Sequence, residues 1–220
     1  MEYTPPPKVV AVEPEALARC AGQYRLPAGD QIVVAVERGG LMLRGDGGEA
    51  LSLLTTGRRG ESKALTAIQD RTQAILTAVD KGEFEPLRAA FGGDRTIEEV
   101  KQMELEHRRE MTAKHGPYKS FQVMGTVDAG ESRFTFVKLI YERGHEFLRF
   151  RWEDGGLVGI RGAAGVGTAR FMPQSPTEFT SFSLTSPDSV RIGFQMGPSG
   201  SATALSFHSG DGVVVASRVD

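Results

Sequence analysis

The chain has a single cysteine, Cys20, in 220 residues. One thiol excludes an internal disulfide and cannot by itself build a structural zinc site. Cys20 is therefore expected to be a small, buried apolar residue. No apolar run approaches the ~20 residues that a membrane-spanning helix needs, and the opening MEYTPPPKVV lacks the basic-then-apolar order of a signal peptide. As given, the chain reads as soluble, and its compartment is not legible. Charge of one sign is lacking too: 26 basic residues face 28 acidic ones, a formal net charge of −2. That balance supplies no basic surface for phosphate backbones, so no nucleic-acid partner is expected. Catalytic signatures are missing as well. No serine is followed by lysine at S-x-x-K spacing, and Gly197–Pro198–Ser199–Gly200–Ser201 misses the G-x-S-x-G elbow by one residue. The four histidines, His107, His115, His145 and His208, form neither H-x-x-x-H nor H-E-x-x-H. Gly162, Gly165 and Gly167 do not make G-x-G-x-x-G. Neither a metal nor a cofactor is expected.

What the chain does have is turn chemistry, with 27 glycines and 11 prolines. Residues 1–12 read as an extended linker arm, because Pro5, Pro6 and Pro7 favour polyproline geometry. A short helix starting at Pro14 should face Ala16, Leu17 and Cys20 inward and end at Gly22. A three-stranded meander is expected next, ending near Leu54. From about Gly60 to Lys114 the pattern is helical. Leu65, Ile68, Ile75, Leu76 and Val79 predict one amphipathic helix, and Phe84, Leu87 and Phe91 a second, closed by Gly92 and Gly93. Asp94 and Thr96 are candidate N-caps for a third, and Thr96 with Glu99 fits a capping box. This third helix carries Ile97, Val100, Met103 and Met111 on one face. Four strands then alternate at Tyr118–Val127, Ser132–Arg143, His145–Trp152 and Leu157–Ile160, with Asp154–Gly155 as a hairpin turn. After Gly162–Gly167 come short strands at Phe179–Leu184, Ser189–Gln195, Ala202–Phe207 and Val213–Val219, with a turn at Ser186–Pro187–Asp188.

Two separated stretches share a resemblance. The segment YTPPPKVVAVEPEALARCAGQYRLPAGDQIVVAVERGGLMLRG resembles the start of the C-terminal β-domain appended to serine β-lactamase-like hydrolases. Tyr24 matches the second aromatic of its Y-x-G-x-Y segment, and Cys20 replaces the first. The tail from Phe171 is similar to the second half of that domain at Pro173, Ser175, Phe179, Phe194, Gly200 and Leu205. The stretch between them, with ERGHEFLRF and the ending DGGLVG at Asp154–Gly159, resembles the nuclear transport factor 2-like (SnoaL-like, cystatin-like) superfamily. The resemblance covers nearly the whole chain. It implies an α+β protein: residues 1–57 and 163–220 form one discontinuous antiparallel β-barrel or sandwich. Residues 58–162 form an inserted cone, with helices packed on a curved sheet. Insertion is physically reasonable at flexible joints such as TTGRRGE and RGAAGVG.

Two groups of residues point to a site. At 100° per residue, Glu104 and His107 share the arc of Ile97, Val100, Met103 and Met111. Lining the cone, they would form an acid/base pair; at its rim, they would be an ordinary i,i+3 pair. On the His145–Trp152 strand, His145, Arg149 and Arg151 take one face and Leu148, Phe150 and Trp152 the other. Tyr118, His145, Arg149, Arg151 and Trp152 are the candidate ligand-binding residues. The basic row is either a solvated face or, with the sheet curved the other way, the lining of a carboxylate pocket. The expected function is a non-catalytic accessory module binding a small ligand, a peptide or a β-lactamase-like catalytic domain. The alternatives are a small isomerase or dehydratase using an acid/base pair in the cone, and a dimerisation module.

Overall fold

The computed structural model describes residues 9–56, 63–92, 95–181, 190–209 and 212–219. The expected proline arm at Pro5–Pro7, the cap at Asp94, the closing Gly93, the turn at Ser186–Asp188 and most of the TTGRRGE joint lie outside these. The chain divides into two compact units, Met1–Arg59 with Gly167–Asp220, and Gly60–Val166. The protein is α+β: an eight-stranded closed antiparallel barrel, a separate four-stranded sheet, and five helices among the described residues.

In the first unit, helix α1 (Pro14–Cys20) starts at a proline that needs no N–H partner there. It buries Leu17 and Cys20. Strands β1 (Gly22–Arg25), β2 (Gln31–Glu37) and β3 (Gly40–Asp46) follow. β2 and β3 turn through Arg38 and Gly39, both at positive φ (47° and 75°), which matches the right-handed strand twist. The meander stops at Asp46, short of the expected Leu54, and helix α2 (Gly48–Thr56) takes its place. The tertiary cause is visible. Asp30 Oδ2 accepts from the backbone N–H of Glu49 and of Ala50 at 2.9 and 3.1 Å, capping α2 from the β1–β2 loop. Gly45 leaves room for the helix, since a Cβ there would lie 2.8 Å from Ala50 Cβ.

The closing strands are β8 (Thr168–Pro173), β9 (Glu178–Ser181), β10 (Arg191–Met196), β11 (Ala202–Ser209) and β12 (Gly212–Arg218). β8 was not expected; the glycine-rich approach and Pro173 mask its short alternation. It pairs with β3, while β1 pairs with β12 in the register Tyr24↔Arg218. The order β1-β12-β11-β10-β9-β8-β3-β2 leaves no free edge. The opening and closing segments of the chain thus hydrogen-bond into one body. Its interior holds Ile32, Leu43, Phe171, Phe207 and their neighbours, each nearly or fully inaccessible. Each such side chain contributes roughly 1.5–3 kcal/mol by leaving water. Tyr24 belongs to this core and donates its hydroxyl to Cys20 O at 2.8 Å.

The second unit opens with α3 (Lys63–Asp80), whose Leu65, Thr72, Ile75, Leu76 and Val79 are buried at helical spacing. Then come α4 (Glu85–Ala90) and α5 (Ile97–His115). The Thr96–Glu99 capping box is complete, at 2.7 and 3.2 Å. Gly116, at φ 80°, ends α5 in a conformation that side-chain-bearing residues avoid. Val100 and Met111 are buried, but Ile97, expected to face inward, is 39% exposed because it sits in the first turn.

Strands β4 (Tyr118–Ala129), β5 (Ser132–Tyr141), β6 (Gly144–Glu153) and β7 (Gly156–Gly162) form an antiparallel meander in sequence order. Register shifts at Tyr118/Ser120 and Val123/Gly125 bend β4. Val137, Leu139, Tyr141, Leu148, Phe150 and Trp152 form one core with Ile75, Leu76, Val79, Leu87, Val100 and Met111 of the helices. The helices therefore cover the face of β6 that bears Leu148, Phe150 and Trp152.

Candidate functional site

The core of the second unit is incomplete. A cavity of about 150 Å³ remains between the helices and the sheet. Leu76 and Val79 of α3, Leu87 of α4, Leu139 of β5, Leu148 and Phe150 of β6 and Ile160 of β7 make most of its wall. Met103, Glu104, His107 and Arg108 of α5 and Tyr118 of β4 border it as well. The reason is local. The inward stripe of α5 runs Val100, Met103/Glu104, His107, Met111, so polar groups interrupt an apolar face at its centre.

Glu104 and His107 both line the cavity but do not pair with each other, as a carboxylate–imidazole acid/base pair would. Glu104 Oε1 accepts from Arg108 Nε at 2.7 Å, the i,i+4 bridge. Arg108 Nη2 also donates to Asp80 Oδ1 at 2.7 Å, and the Tyr118 hydroxyl donates to Asp80 Oδ2 at 3.0 Å. The Arg108 guanidinium lies 4.5 Å from the Tyr118 ring centroid. Burial alone would lower the pKa of Arg108, but its hydrogen bonds to Glu104 and Asp80 outweigh burial and raise it. Burial first, and then the Asp80 carboxylate, push the Tyr118 hydroxyl well above its ordinary value.

His107 instead meets Glu146. Its Nε2 lies 3.0 Å from Glu146 Oε2, yet neither of these buried atoms makes a hydrogen bond among the described residues. The contact has ion-pair distance without hydrogen-bond alignment. The Tyr141 hydroxyl is also buried without a hydrogen bond among the described residues. Burial first, then the charges of Glu146 and Glu104, raise it to about 12, against the opposing pull of Arg108.

The remaining expected residues lie elsewhere on the sheet. Trp152 is a core residue, 1% exposed, with the Arg71 guanidinium 5.2 Å from its ring centroid and, among the described residues, no hydrogen bond at Nε1. His145, Arg149 and Arg151 occupy the face of β6 away from the helices, and all three are exposed. Arg149 lies over Phe134 at 4.8 Å, and His145 is edge-on to Phe147 at 4.9 Å. Arg151 donates to Ser132 Oγ at 3.1 Å and pairs with Glu153. None of the three lines the cavity.

The sequence did not single out Asp80, Arg108, Tyr141 or Glu146. Glu146 carried a signal, since it sits two residues before Leu148 and so falls on the apolar face of β6. Its register partner is Leu139, a cavity residue. Asp80 had no local signal, because it lies 28 residues from Arg108 and only the tertiary fold brings the two together. Elsewhere, a serine–histidine contact joins Ser206 Oγ to His208 Nε2 at 3.1 Å on the barrel, but Ser206 Oγ also donates to Gly193 O at 3.0 Å. No three metal-ligating side chains converge among the described residues, and no described helix is long and apolar enough to cross a membrane.

Compared with known protein families, curated proteins and solved structures, the chain matches none.

Proposed function

We propose that this chain is a non-catalytic binding module whose second unit, an inserted cone of the nuclear transport factor 2-like kind, holds a small molecule with an apolar body and a polar end. One observation carries the proposal: an apolar cavity of about 150 Å³ with a charged, hydrogen-bonded wall along one side. Apolar voids of this size take a ring of about six carbon atoms. A few polar groups beside such a void are the usual means of orienting a ligand.

The barrel, on its resemblance to the β-domain of serine β-lactamase-like hydrolases, would attach the module to such an enzyme. The pairing of β1 with β12 supports this part, because it makes one domain of the two resembling segments. The absence of S-x-x-K and G-x-S-x-G patterns from the sequence supports a binding role over hydrolysis.

The test is a titration of isotope-labelled protein with toluene, read by amide NMR. Shifts should gather at Leu76, Leu139, Phe150 and Ile160; a saturating titration that leaves these amides in place overturns the cavity reading. Nitrocefin and p-nitrophenyl esters should remain unhydrolysed, and turnover abolished by one serine substitution would overturn the non-catalytic part. A second reading, a small isomerase or dehydratase, is favoured by the His107–Glu146 contact beside the cavity. It requires cavity-dependent turnover that His107→Gln removes.

A further inference from the structure

We propose that the outer face of the second unit's sheet, centred on Lys138, Arg149 and Arg161, docks an extended acidic segment of a partner protein. This face is turned away from the helices. Register with β5 places Arg149 and Arg151 there beside Phe136 and Phe134, and Lys138 beside Phe147. Arg149 pairs in turn with Arg161 of β7, so that Arg161, whose strand also borders the cavity, carries its side chain on the outer face. The carboxylate of these strands on the same face, Glu153, is taken by Arg151 and Ser132. Among the described residues, Lys138, Arg149 and Arg161 have no carboxylate partner. The acids of the flanking turns are Glu131 and Asp154 at one end and Glu142, beside Arg143, at the other. Each is four or more strand positions from these three cations. That is at least ~13 Å along a strand, beyond the ~8 Å over which exposed charges act in physiological salt.

Two features separate this face from an ordinary solvated one. Arg149 and Arg161 stand directly opposite each other on neighbouring strands, where like charges cost stability. The half-buried rings of Phe134 and Phe147 interleave the cations: the Arg149 guanidinium lies 4.8 Å from the Phe134 centroid and Lys138 Nζ 5.9 Å from that of Phe147. Held on the rings, these heads lose less freedom when they bind an anion. A guanidinium takes a carboxylate through two parallel N–H bonds, and an acidic segment would also relieve the repulsion between the two arginines. A nucleic-acid strand would need open ring faces on which to stack its bases, and here cations lie over them. A second copy of the same face would bring like charges together.

The probes are an octaglutamate peptide and a thymidine octanucleotide, titrated into the isotope-labelled full chain near neutral pH at about 0.15 M salt. The peptide should move the amides of Lys138, Phe147, Arg149 and Arg161 and leave the barrel amides in place. Arg149→Gln and Arg161→Gln should each weaken it about two- to fivefold, the usual worth of an exposed charge pair. Arg44→Gln, which removes an exposed barrel cation, should leave it unchanged. Arg161→Gln should also raise the Tm of the free protein, because it removes one of two opposed like charges. Peptide shifts spread over both units, or an equal loss with Arg44→Gln, would reduce the effect to general charge attraction and overturn the docking site. An octanucleotide that binds tighter than the peptide would make the partner a nucleic acid and overturn the assignment. Broadening of these amides that grows with protein concentration would make it a second copy, with the same consequence. Absence of any shift at the four amides leaves the face merely solvated and ends the proposal. These wild-type readings decide the matter even where a variant does not fold.

Discussion

The barrel and the helix-covered sheet solve the same problem to different degrees. The barrel closes on itself and fills its interior with large apolar side chains such as Phe171, Phe179 and Phe207, each at most 1% exposed. The second unit covers one face of an open, bent sheet and stops short of filling the space. Of the six buried side-chain nitrogen and oxygen atoms found without a hydrogen bond among the described residues, five belong to the second unit: those of His107, Arg133, Tyr141, Glu146 and Trp152. Native interiors satisfy nearly all such atoms, so their concentration in one unit sets its core apart from that of the barrel. On the function proposed above, the barrel is the scaffold and the incomplete core the working part.

The largest test of that contrast is in the two cores. Phe171→Ala in the barrel should cost about 3–5 kcal/mol in denaturant unfolding, the usual loss for a buried phenylalanine. Adding volume should separate the units more sharply. Leu43→Phe in the filled barrel is expected to cost ~1–3 kcal/mol. Leu139→Phe beside the cavity should be neutral or stabilising by up to ~1 kcal/mol. Equal costs for the two would mean that the void is not usable space. The single tryptophan, Trp152, lies in the second unit, so its fluorescence follows that unit while amide hydrogen exchange reads both.

The charge networks give a smaller difference. Arg108→Met removes one partner from two carboxylates at a position where the Arg108 side chain is 26% exposed. The expected cost lies between the ~0–1 kcal/mol of exposed pairs and the ~3–5 kcal/mol of buried ones. Arg44→Met on the barrel breaks a pair whose arginine is 62% exposed, and should fall within ~0–1 kcal/mol. An equal effect of the two on Tm would show that the cavity wall is solvated like any surface.

The smallest expected effect is an alkaline limit that differs between the units. Burial raises the Cys20 thiol in the barrel from 9.0 to about 11, with Arg218 opposing. In the second unit, Tyr141 rises from 10.0 to about 12. Both groups are held protonated by the fold. Their stabilisation is therefore complete below the unfolded value and is lost as pH rises through the folded one. The barrel should begin to weaken above pH 9 and the second unit above pH 10. Cys20→Ala should remove the first loss, and Tyr141→Phe should reduce the second, the rest of which belongs to the likewise raised Tyr118, as read by exchange rates of each unit. Identical pH profiles for wild type and both variants would refute the assignment.

Much of the fold was legible because its signals are local. The Thr96–Glu99 box, the Asp154–Gly155 turn and the alternation from Leu148 to Trp152 each depend on neighbours within a few residues. α2 was not legible, because its cap, Asp30, lies 19 residues before Glu49 in the chain. β8 was hidden by the glycines that precede it and by its own Pro173. For the site, helical spacing brought Glu104 and His107 to one face, which is where the cavity lies. It could not assign their partners, since Asp80 and Glu146 arrive from other elements.

The sequence alone determined which residues share a face of a helix or strand, because hydrophobic period, caps and turn dihedrals are properties of short stretches of chain. Only the tertiary structure decided that the two chain ends close one barrel, that Arg108 takes Glu104 while His107 meets Glu146, and that a void remains beside them. Those outcomes depend on how helices and strands far apart in the chain fill a shared volume, and volume and charge balance are properties of the packed whole.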